Sequence, residues 1–321
     1  MSEWKVQVVK VGPLSKHPNA DRLLLTKVFD YPVITAIGEF QENDLAIYVA
    51  VDSLVPSDDP RWAFLKGHNR IRAARLRGIF SMGLLTKAVE GMKEGDIVAE
   101  QLRITKYEPP EPLTMGGDNE KCPFDFPVYT DIEGLRRWPD VLKEGEEVQL
   151  TEKVHGANAR YVYYQDRLWA GSHTGVKKPD PNNLWWKAAN EAGLEAILKK
   201  APGIAFYGEV YGQVQDLKYG HTKGGSASLL FFDAMDITTR RYLDLDEFEK
   251  LATDLGLKLV PKLYRGPWKA DLSLMAEGKT LVSNDHVREG FVVRPVKERF
   301  DERIQRVILK RHGEGYLTRK E

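Results

Sequence analysis

The chain has a single cysteine, Cys122, among 321 residues, which excludes an intramolecular disulfide and any multi-cysteine zinc site. It has no excess of either charge, since 47 basic and 47 acidic side chains balance. Net charge therefore selects no partner, although a balanced total can hide a strongly basic face. No stretch approaches the roughly eighteen consecutive apolar residues of a membrane span. The opening MSEWKVQVVK has no apolar core of a secretory signal. The expectation is a cytoplasmic protein of a reducing interior, without a membrane partner, long enough for two domains and read as a monomer.

What is present divides unevenly along the chain. Trp4, Val6 and Val8 alternate with Lys5 and Gln7, as on a half-buried strand. Apolar, β-rich runs follow at 23–29, 33–37 and 45–51, and 97–104 could close the set. About five strands in about a hundred residues fit a small barrel better than a parallel α/β sheet. Residues 1–105 are read as this barrel. Residues 106–125, with Pro109, Pro110, Pro112, Pro123 and the pair Gly116-Gly117, read as a partly extended linker.

Residues 126–321 mix the two periodicities. Strands are expected at 148–153, 159–164, 204–210, 229–235, 290–294 and 306–310, and helices at 183–200 and 245–255. The second helix has Asp244 placed as N-cap, Glu247 three residues on and Gly256 just past its end. The fold class is α+β, with antiparallel sheets in the second domain.

The segment Glu152-Lys153-Val154-His155-Gly156-Ala157-Asn158 ends a β-run in a lysine and turns on a glycine. A lysine attacks a phosphate only as the neutral amine, so burial or nearby cations must depress its pKa. Alone, Lys-x-x-Gly describes any strand–turn–strand with a solvated lysine. Phe206-Tyr-Gly-Glu209 sets a carboxylate in an apolar run, with Tyr207 and Glu209 on one face. A buried carboxylate is costly unless it pairs, binds a hydroxyl or meets a metal. Glu289 leads into Gly-Phe-Val-Val-Arg, and Arg306-Val-Ile-Leu-Lys310 places Val307 and Leu309 opposite Arg306, Ile308 and Lys310.

In this order, with Gly-Ser-His at 171–173 and Phe-Phe-Asp at 231–233, these strings resemble the motif series of covalent nucleotidyltransferases. These are DNA ligases, RNA ligases and mRNA capping enzymes. His155, where the other branches usually carry aspartate, resembles the RNA-ligase branch. The resemblance covers residues 126–317 and implies an ATP-dependent RNA ligase with an adenylyltransferase domain. It implies Lys153 as the nucleophile that carries AMP and Glu152 as a contact to the adenine amino group. It places Asn158 near the reacting phosphate and Ser172 and His173 near ribose and phosphates. Glu209 would hold the ribose hydroxyls, Phe232 would stack on adenine, and His155 belongs to the same nucleotide-binding set. Glu289 would position Mg2+ (or Mn2+), which suits carboxylate and water ligands. Lys310 would contact the α-phosphate and help keep Lys153 deprotonated. Many relatives show Lys-x-Lys in the last motif. Here the second position is His312, so Arg311 or His312 substitutes, or one phosphate contact is lost.

In the first domain, His17-Pro-Asn-Ala-Asp-Arg-Leu23 and Arg77-Gly-Ile-Phe-Ser-Met-Gly-Leu-Leu85 resemble the OB-fold tRNA-binding modules of some tRNA synthetases. Between residues 61 and 89 there are seven Lys or Arg and no acid, with Arg70, Arg72, Arg75 and Arg77 concentrated there. Phosphate contact is expected of them beside a ligase domain. An OB-fold β-barrel ahead of the nucleotidyltransferase domain resembles the type 5 RNA ligases, which seal nicks with an RNA 3′-hydroxyl end. A capping-type guanylyltransferase and a non-catalytic OB-based RNA-binding protein are the alternatives. His155 and the domain order speak against the first, the intact lysine and glutamate set against the second.

Overall fold

The computed structural model describes residues 4–108, 119–212, 214, 217, 219, 227–283 and 286–319. Half of the expected linker, including Pro109, Pro110, Pro112 and Gly116-Gly117, lies outside the described residues. The chain divides into two compact units, one of Met1–Pro110, Glu133–Asp140 and Leu317–Lys320, the other of Glu111–Ile132, Val141–Tyr316 and Glu321. No helix among the described residues is long and apolar enough to cross a membrane.

The first unit is built on short antiparallel strands. β1 (Val6–Lys10) pairs with β4 (Leu45–Val49), which pairs with β5 (Leu84–Lys87). β2 (Leu23–Val28) and β3 (Tyr31–Ala36) form a hairpin. Val6, Val8, Ile47 and Val49 point into a core closed by Trp62, Ile71 and Val98. Residues 97–104 do not form the closing strand. There Leu102 and Ile104 donate their N–H groups to the carbonyls of Val98 and Ala99, so the backbone turns. Val98, Leu102 and Ile104 all enter the core from this turned segment. The edge of the β1-β4 sheet is β5 instead, and beyond the turn Thr105–Lys106 pairs with Ser53–Leu54.

The second unit stacks two antiparallel sheets. One contains β6 (Glu147–Lys153), flanked by β13 (Lys262–Pro267) and β14 (Gly290–Pro295), with β15 (Leu309–His312) beyond β14. The other has the order β9-β8-β7-β10-β11-β12. These strands are β7 (Ala157–Tyr164), β8 (Arg167–Gly171), β9 (Val176–Lys177), β10 (Ile204–Tyr211), β11 (Ser228–Asp236) and β12 (Arg241–Tyr242). Along β7, Ala157, Ala159 and Tyr161 face a core shared with α1 (Leu184–Glu191), α2 (Leu194–Leu198) and α3 (Leu245–Leu255). The alternate face carries Val162 and Tyr207 into a second cluster, which Val292 and Ile308 of the first sheet's strands join.

The helix expected over 183–200 is two helices. Asn183 caps α1, its Oδ1 accepting the N–H groups of Trp185 (3.0 Å) and Trp186 (3.4 Å). Gly193 then adopts φ +63 and ends the run, a conformation that costs glycine little. α3 matches its expected bounds. Glu247 accepts the Asp244 N–H at 2.9 Å, and Gly256 closes the helix at φ +69. The run 306–310 is split: Gln305–Arg306 pairs with Phe300–Asp301, and β15 begins only at Leu309. Val307, Ile308 and Leu309 are all buried, so alternation fails across the break.

Candidate active site

Strand register decides which side chains share a face. Lys153, Gly290 and His312 lie in one row across β6, β14 and β15, and Thr151, Val292 and Lys310 in the row two residues on. Residues in one row, or two rows apart, face the same side of a sheet. Lys153, Lys310 and His312 therefore share the face of Val292, which packs toward the second sheet. Asn158 lies opposite Glu209 and shares its face. Tyr207, two residues from Glu209 on β10, joins the same inter-sheet cluster. Phe232 sits where β10 and β11 slip register, a bulge that leaves it partly exposed. Its ring meets Tyr129 edge-on at 5.0 Å.

The chain crosses from one sheet to the other through Val154-His155-Gly156. A Cβ at Gly156 would lie 2.2 Å from the Val210 carbonyl oxygen, so only glycine lets β7 start against β10. Gly290, between Lys153 and His312, is similarly constrained. Its φ is +155, and a Cβ there would meet the Arg311 carbonyl oxygen at 2.0 Å.

Glu289 is the electrostatic hub. Its Oε1 lies 2.7 Å from Lys153 Nζ and 3.4 Å from His312 Nε2, and its Oε2 lies 3.0 Å from His155 Nδ1. Burial alone would raise its pKa, but Lys153, His155 and His312 hold it well below the usual carboxylate range. Glu209 has no such cluster. Burial pushes it up to about 8, with Glu289 adding to the rise and Lys153 and the Gly156 N–H opposing it. Burial lowers the His312 pKa against the pull of Glu289.

Lys153 departs from expectation. Burial works to lower its pKa, as the chemistry of a nucleophile asks, but Glu289 and Glu209 outweigh burial and raise it. The amine is thereby a charged partner of Glu289, 2.7 Å away.

Glu152 lies on the opposite face of β6, in the row of Phe291 and Arg311. Its carboxylate accepts the Thr280 hydroxyl on Oε1 and the Leu281 N–H on Oε2 at 2.8 Å, with Arg288 Nε 3.8 Å away. A contact to an adenine amino group would need a further lone pair of this occupied carboxylate. Ser172 likewise serves its own turn, its Oγ accepting the N–H groups of Thr174 and Gly175, each at 3.2 Å. His173 beside it is half-buried, and burial lowers its pKa. Asn158 Oδ1 is buried with no hydrogen-bond partner, an orphaned polar atom on the Glu209 face.

Sequence reasoning gave no role to a buried group beneath Phe232. Asp233, fully buried, meets Arg294 Nη1 and Arg306 Nη1 at 2.7 Å each and accepts the Tyr129 hydroxyl at 2.8 Å. Glu298 pairs with both arginines, at 3.1 Å and 2.6 Å. Arginines inside the apolar runs 291–295 and 306–309 were the visible signal. Thr280, Arg288 and Tyr316, by contrast, carry no local signature.

In the first unit the two strings that resemble a tRNA-binding module meet. His17 Nε2 donates to the Leu76 carbonyl and Asn19 Nδ2 to the Arg77 carbonyl, each at 3.0 Å. Arg77-Gly78 forms the two-residue turn between Ala74–Leu76 and Ile79–Ser81. Arg72, Arg75 and Arg77 are exposed. Arg70 is partly committed, 2.8 Å from Asp52 and stacked 3.7 Å over Tyr107.

Comparisons with known proteins fit this arrangement. A structure of Naegleria gruberi RNA ligase with PPi superposes with a TM-score of 0.84 at 24% identity, covering 98% of each chain. A glutamate-to-alanine variant of that ligase with AMP and Mn gives 0.86 at 23% identity, again over 98% of each chain. A lysine-to-alanine variant with ATP and Mn gives 0.84 at 23% identity, over 97% of this chain and 98% of that one. At such identity the likeness shows the fold. No curated protein sequence matches the chain. A family model for an OB-fold domain matches residues 5–88, within the first unit. The RNA ligase family model matches residues 146–312, more than half of the chain and every strand that carries Lys153, Asn158, Glu209, Phe232 and Lys310, so the chain belongs to the RNA ligase family.

Proposed function

We propose that this protein is an ATP-dependent RNA ligase that joins 3′-hydroxyl and 5′-phosphate ends through lysyl-AMP on Lys153. The observation that carries the reading is the gathering of Lys153, Lys310 and His312 on one sheet face, with Glu289 joining Lys153 to both histidines. The ATP-, AMP- and PPi-bound forms of the Naegleria gruberi ligase supply the nucleotide. Among the described residues no three His, Cys, Asp or Glu cluster as a metal cage. The carboxylates present suit a hard cation that completes its shell with water and phosphate oxygens, and Glu289 would hold it. Bound there, Mg2+ or Mn2+ would neutralise charge on the phosphates and favour departure of pyrophosphate.

The resting ion pair defines the first task. Lys153 Nζ must lose its proton before its lone pair can form the N–P bond to the α-phosphorus as the bond to pyrophosphate breaks. Separation of Lys153 from Glu289 on nucleotide binding would remove the carboxylate that holds that proton and let it pass to water, which the partly exposed lysine can reach. Lys310, on the same face, adds positive potential that disfavours a charged amine. Neutral Glu209 can donate as well as accept a hydrogen bond, which fits a ribose hydroxyl. Asn158, with its unpartnered oxygen, lies beside it. Phe232 offers a ring face for adenine. AMP then passes from Lys153 to the 5′-phosphate, and the 3′-hydroxyl attacks that phosphorus and expels AMP. Exposed Arg72, Arg75 and Arg77 of the OB unit contact nucleic-acid phosphates in this reading, which the salt dependence of nick binding tests.

Incubation with labelled ATP and Mg2+ should label the protein, and Lys153→Ala should abolish the label. Equal labelling of the variant refutes the assignment of Lys153. We further propose a nicked duplex as substrate, with RNA required on the 3′-hydroxyl side. A ligase senses that strand through its 2′-hydroxyl or the A-form sugar it favours. Deoxynucleotides at that end should slow single-turnover sealing of pre-adenylated nicks at least about 10-fold, the equivalent of about 1.4 kcal/mol. Equal rates for the two ends defeat the specificity and leave the adenylation chemistry standing.

A further inference from the structure

The RNA ligase family model ends at His312, yet the contacts around Glu289 continue for four more residues. Beyond β15 the chain makes a tight turn. Gly313 donates its N–H to the Glu289 carbonyl at 3.0 Å, so the turn is tied to the backbone of the hub residue. A Cβ at Gly313 would meet the Ala276 carbonyl oxygen at 2.6 Å. Glu277 holds the next two residues, Oε1 accepting the Glu314 N–H at 2.5 Å and Oε2 the Gly315 N–H at 3.2 Å. Arg288, one residue from Glu289, donates to the carbonyls of Met275 and Glu277 at 2.8 Å and 3.1 Å and keeps that segment in place.

This turn delivers Tyr316. Its ring stacks on His312 with centroids 5.9 Å apart and planes at 16°, and meets His155 edge-on at 5.7 Å and 63°. Its hydroxyl lies 3.2 Å from His155 Nδ1, the nitrogen that also faces Glu289 Oε2 at 3.0 Å. With Nδ1–H shared between the carboxylate and the phenol oxygen, His155 has one ring orientation that satisfies both. Tyr219 closes the other side of His155 at 5.7 Å. Tyr316 thus touches both histidines that hold Glu289, and Glu289 holds Lys153.

We propose that Tyr316 is a positioning residue for lysyl-AMP formation, fixing His155 and His312 against Glu289 and thereby the place from which Lys153 attacks. This rests on the ligase reading. A group that sets geometry without touching the nucleotide should act on the rate at saturating ATP rather than on the ATP concentration needed for half saturation. A displacement of about 1 Å at a reacting group can cost on the order of 100-fold in rate.

The test is single-turnover labelling with ATP and Mg2+ for the wild type, Lys153→Ala, Tyr316→Phe and Tyr316→Ala, with thermal melting of each. Tyr316→Phe keeps both ring contacts and loses the hydroxyl; Tyr316→Ala loses all three. The expected result is a saturating rate reduced at least about 10-fold in Tyr316→Ala, with Tyr316→Phe between it and the wild type. Half-saturating ATP should stay within about 2-fold. Unchanged rates in both variants overturn the proposal. So does a shift confined to half-saturating ATP, which would make Tyr316 a nucleotide contact, or a loss in Tyr316→Ala explained by unfolding with wild-type behaviour in Tyr316→Phe. Absence of label on the wild type overturns the ligase reading and this inference with it. Wild-type label with unaffected Tyr316 variants overturns this inference alone.

Discussion

Replacing Gly156 by alanine should disable the protein without removing any charged group. The added Cβ would stand 2.2 Å from the Val210 carbonyl oxygen, 3.0 Å from the Val210 carbonyl carbon and 3.0 Å from Glu209 Cγ. Ordinary contact begins near 3.4 Å, so β7 and β10 must separate locally by about 1.2 Å (3.4 less 2.2). The nearest partner, the Val210 carbonyl, is backbone and cannot swing aside as the Glu209 side chain could, so the cost falls in the overpacking range of about 1–3 kcal/mol. The same displacement acts three residues from Lys153 and directly on Glu209, and lysyl-AMP formation should fall on the order of 100-fold. Gly193→Ala is the control. Gly193 has a left-handed backbone, φ +63, which Gly156 lacks, and a Cβ there meets nothing within 4 Å. It should cost only the roughly 1–2 kcal/mol of that conformation and leave labelling intact. Thermal melting and labelling with ATP read both variants. Wild-type rates in Gly156→Ala would refute the argument that close strand approach sets the lysine.

Asp233→Ala should destabilise the second unit by about 3–5 kcal/mol in urea unfolding, because it leaves Arg294 and Arg306 buried without their shared carboxylate. A loss under about 1 kcal/mol would mean that Glu298 alone neutralises both arginines. Glu209 predicts a pH effect. Its folded pKa, about 8, lies above the ordinary 4.5, so its stabilising contribution is complete below pH 4.5 and is lost as pH rises through 8. Glu209→Gln, a mimic of the neutral acid, should match the wild type in melting temperature near pH 4 and exceed it by a margin that grows from pH 4.5 to 8 and levels off above. A constant difference across that range would show that Glu209 does not titrate there.

How far the molecule was legible depends on the range over which each feature is encoded. α3 was readable because its signals are local: Asp244, Glu247 and Gly256 act within a turn of their own positions. The strands of Lys153, Glu209 and Glu289 were readable because apolar runs with one intruding charge mark both the strand and the site. Where the local signal was ambiguous the reading slipped. Residues 97–104 are apolar enough for a strand and their buried positions keep a strand's parity, but the backbone bonds inside the segment turn it, and the ladder formed at Leu84–Lys87. The run 183–200 kept a helical pattern through Gly193, a residue compatible with either continuation or arrest.

The protonation state of Lys153 was out of reach for a different reason. Burial and charge push its pKa in opposite directions, and the winner depends on a 2.7 Å contact with a carboxylate 136 positions along the chain (289 less 153). The motif series brought Lys153 and Glu289 into one site, but motifs assign roles in the reacting complex, whereas the free protein obeys its own electrostatics. There an unopposed buried carboxylate and a buried amine are each costly, and their pairing offsets both costs. The proposed lysyl-AMP chemistry would therefore require nucleotide to loosen this 2.7 Å contact. Tyr316, which holds both histidines on that carboxylate, lies 161 residues from His155, beyond the reach of any local pattern.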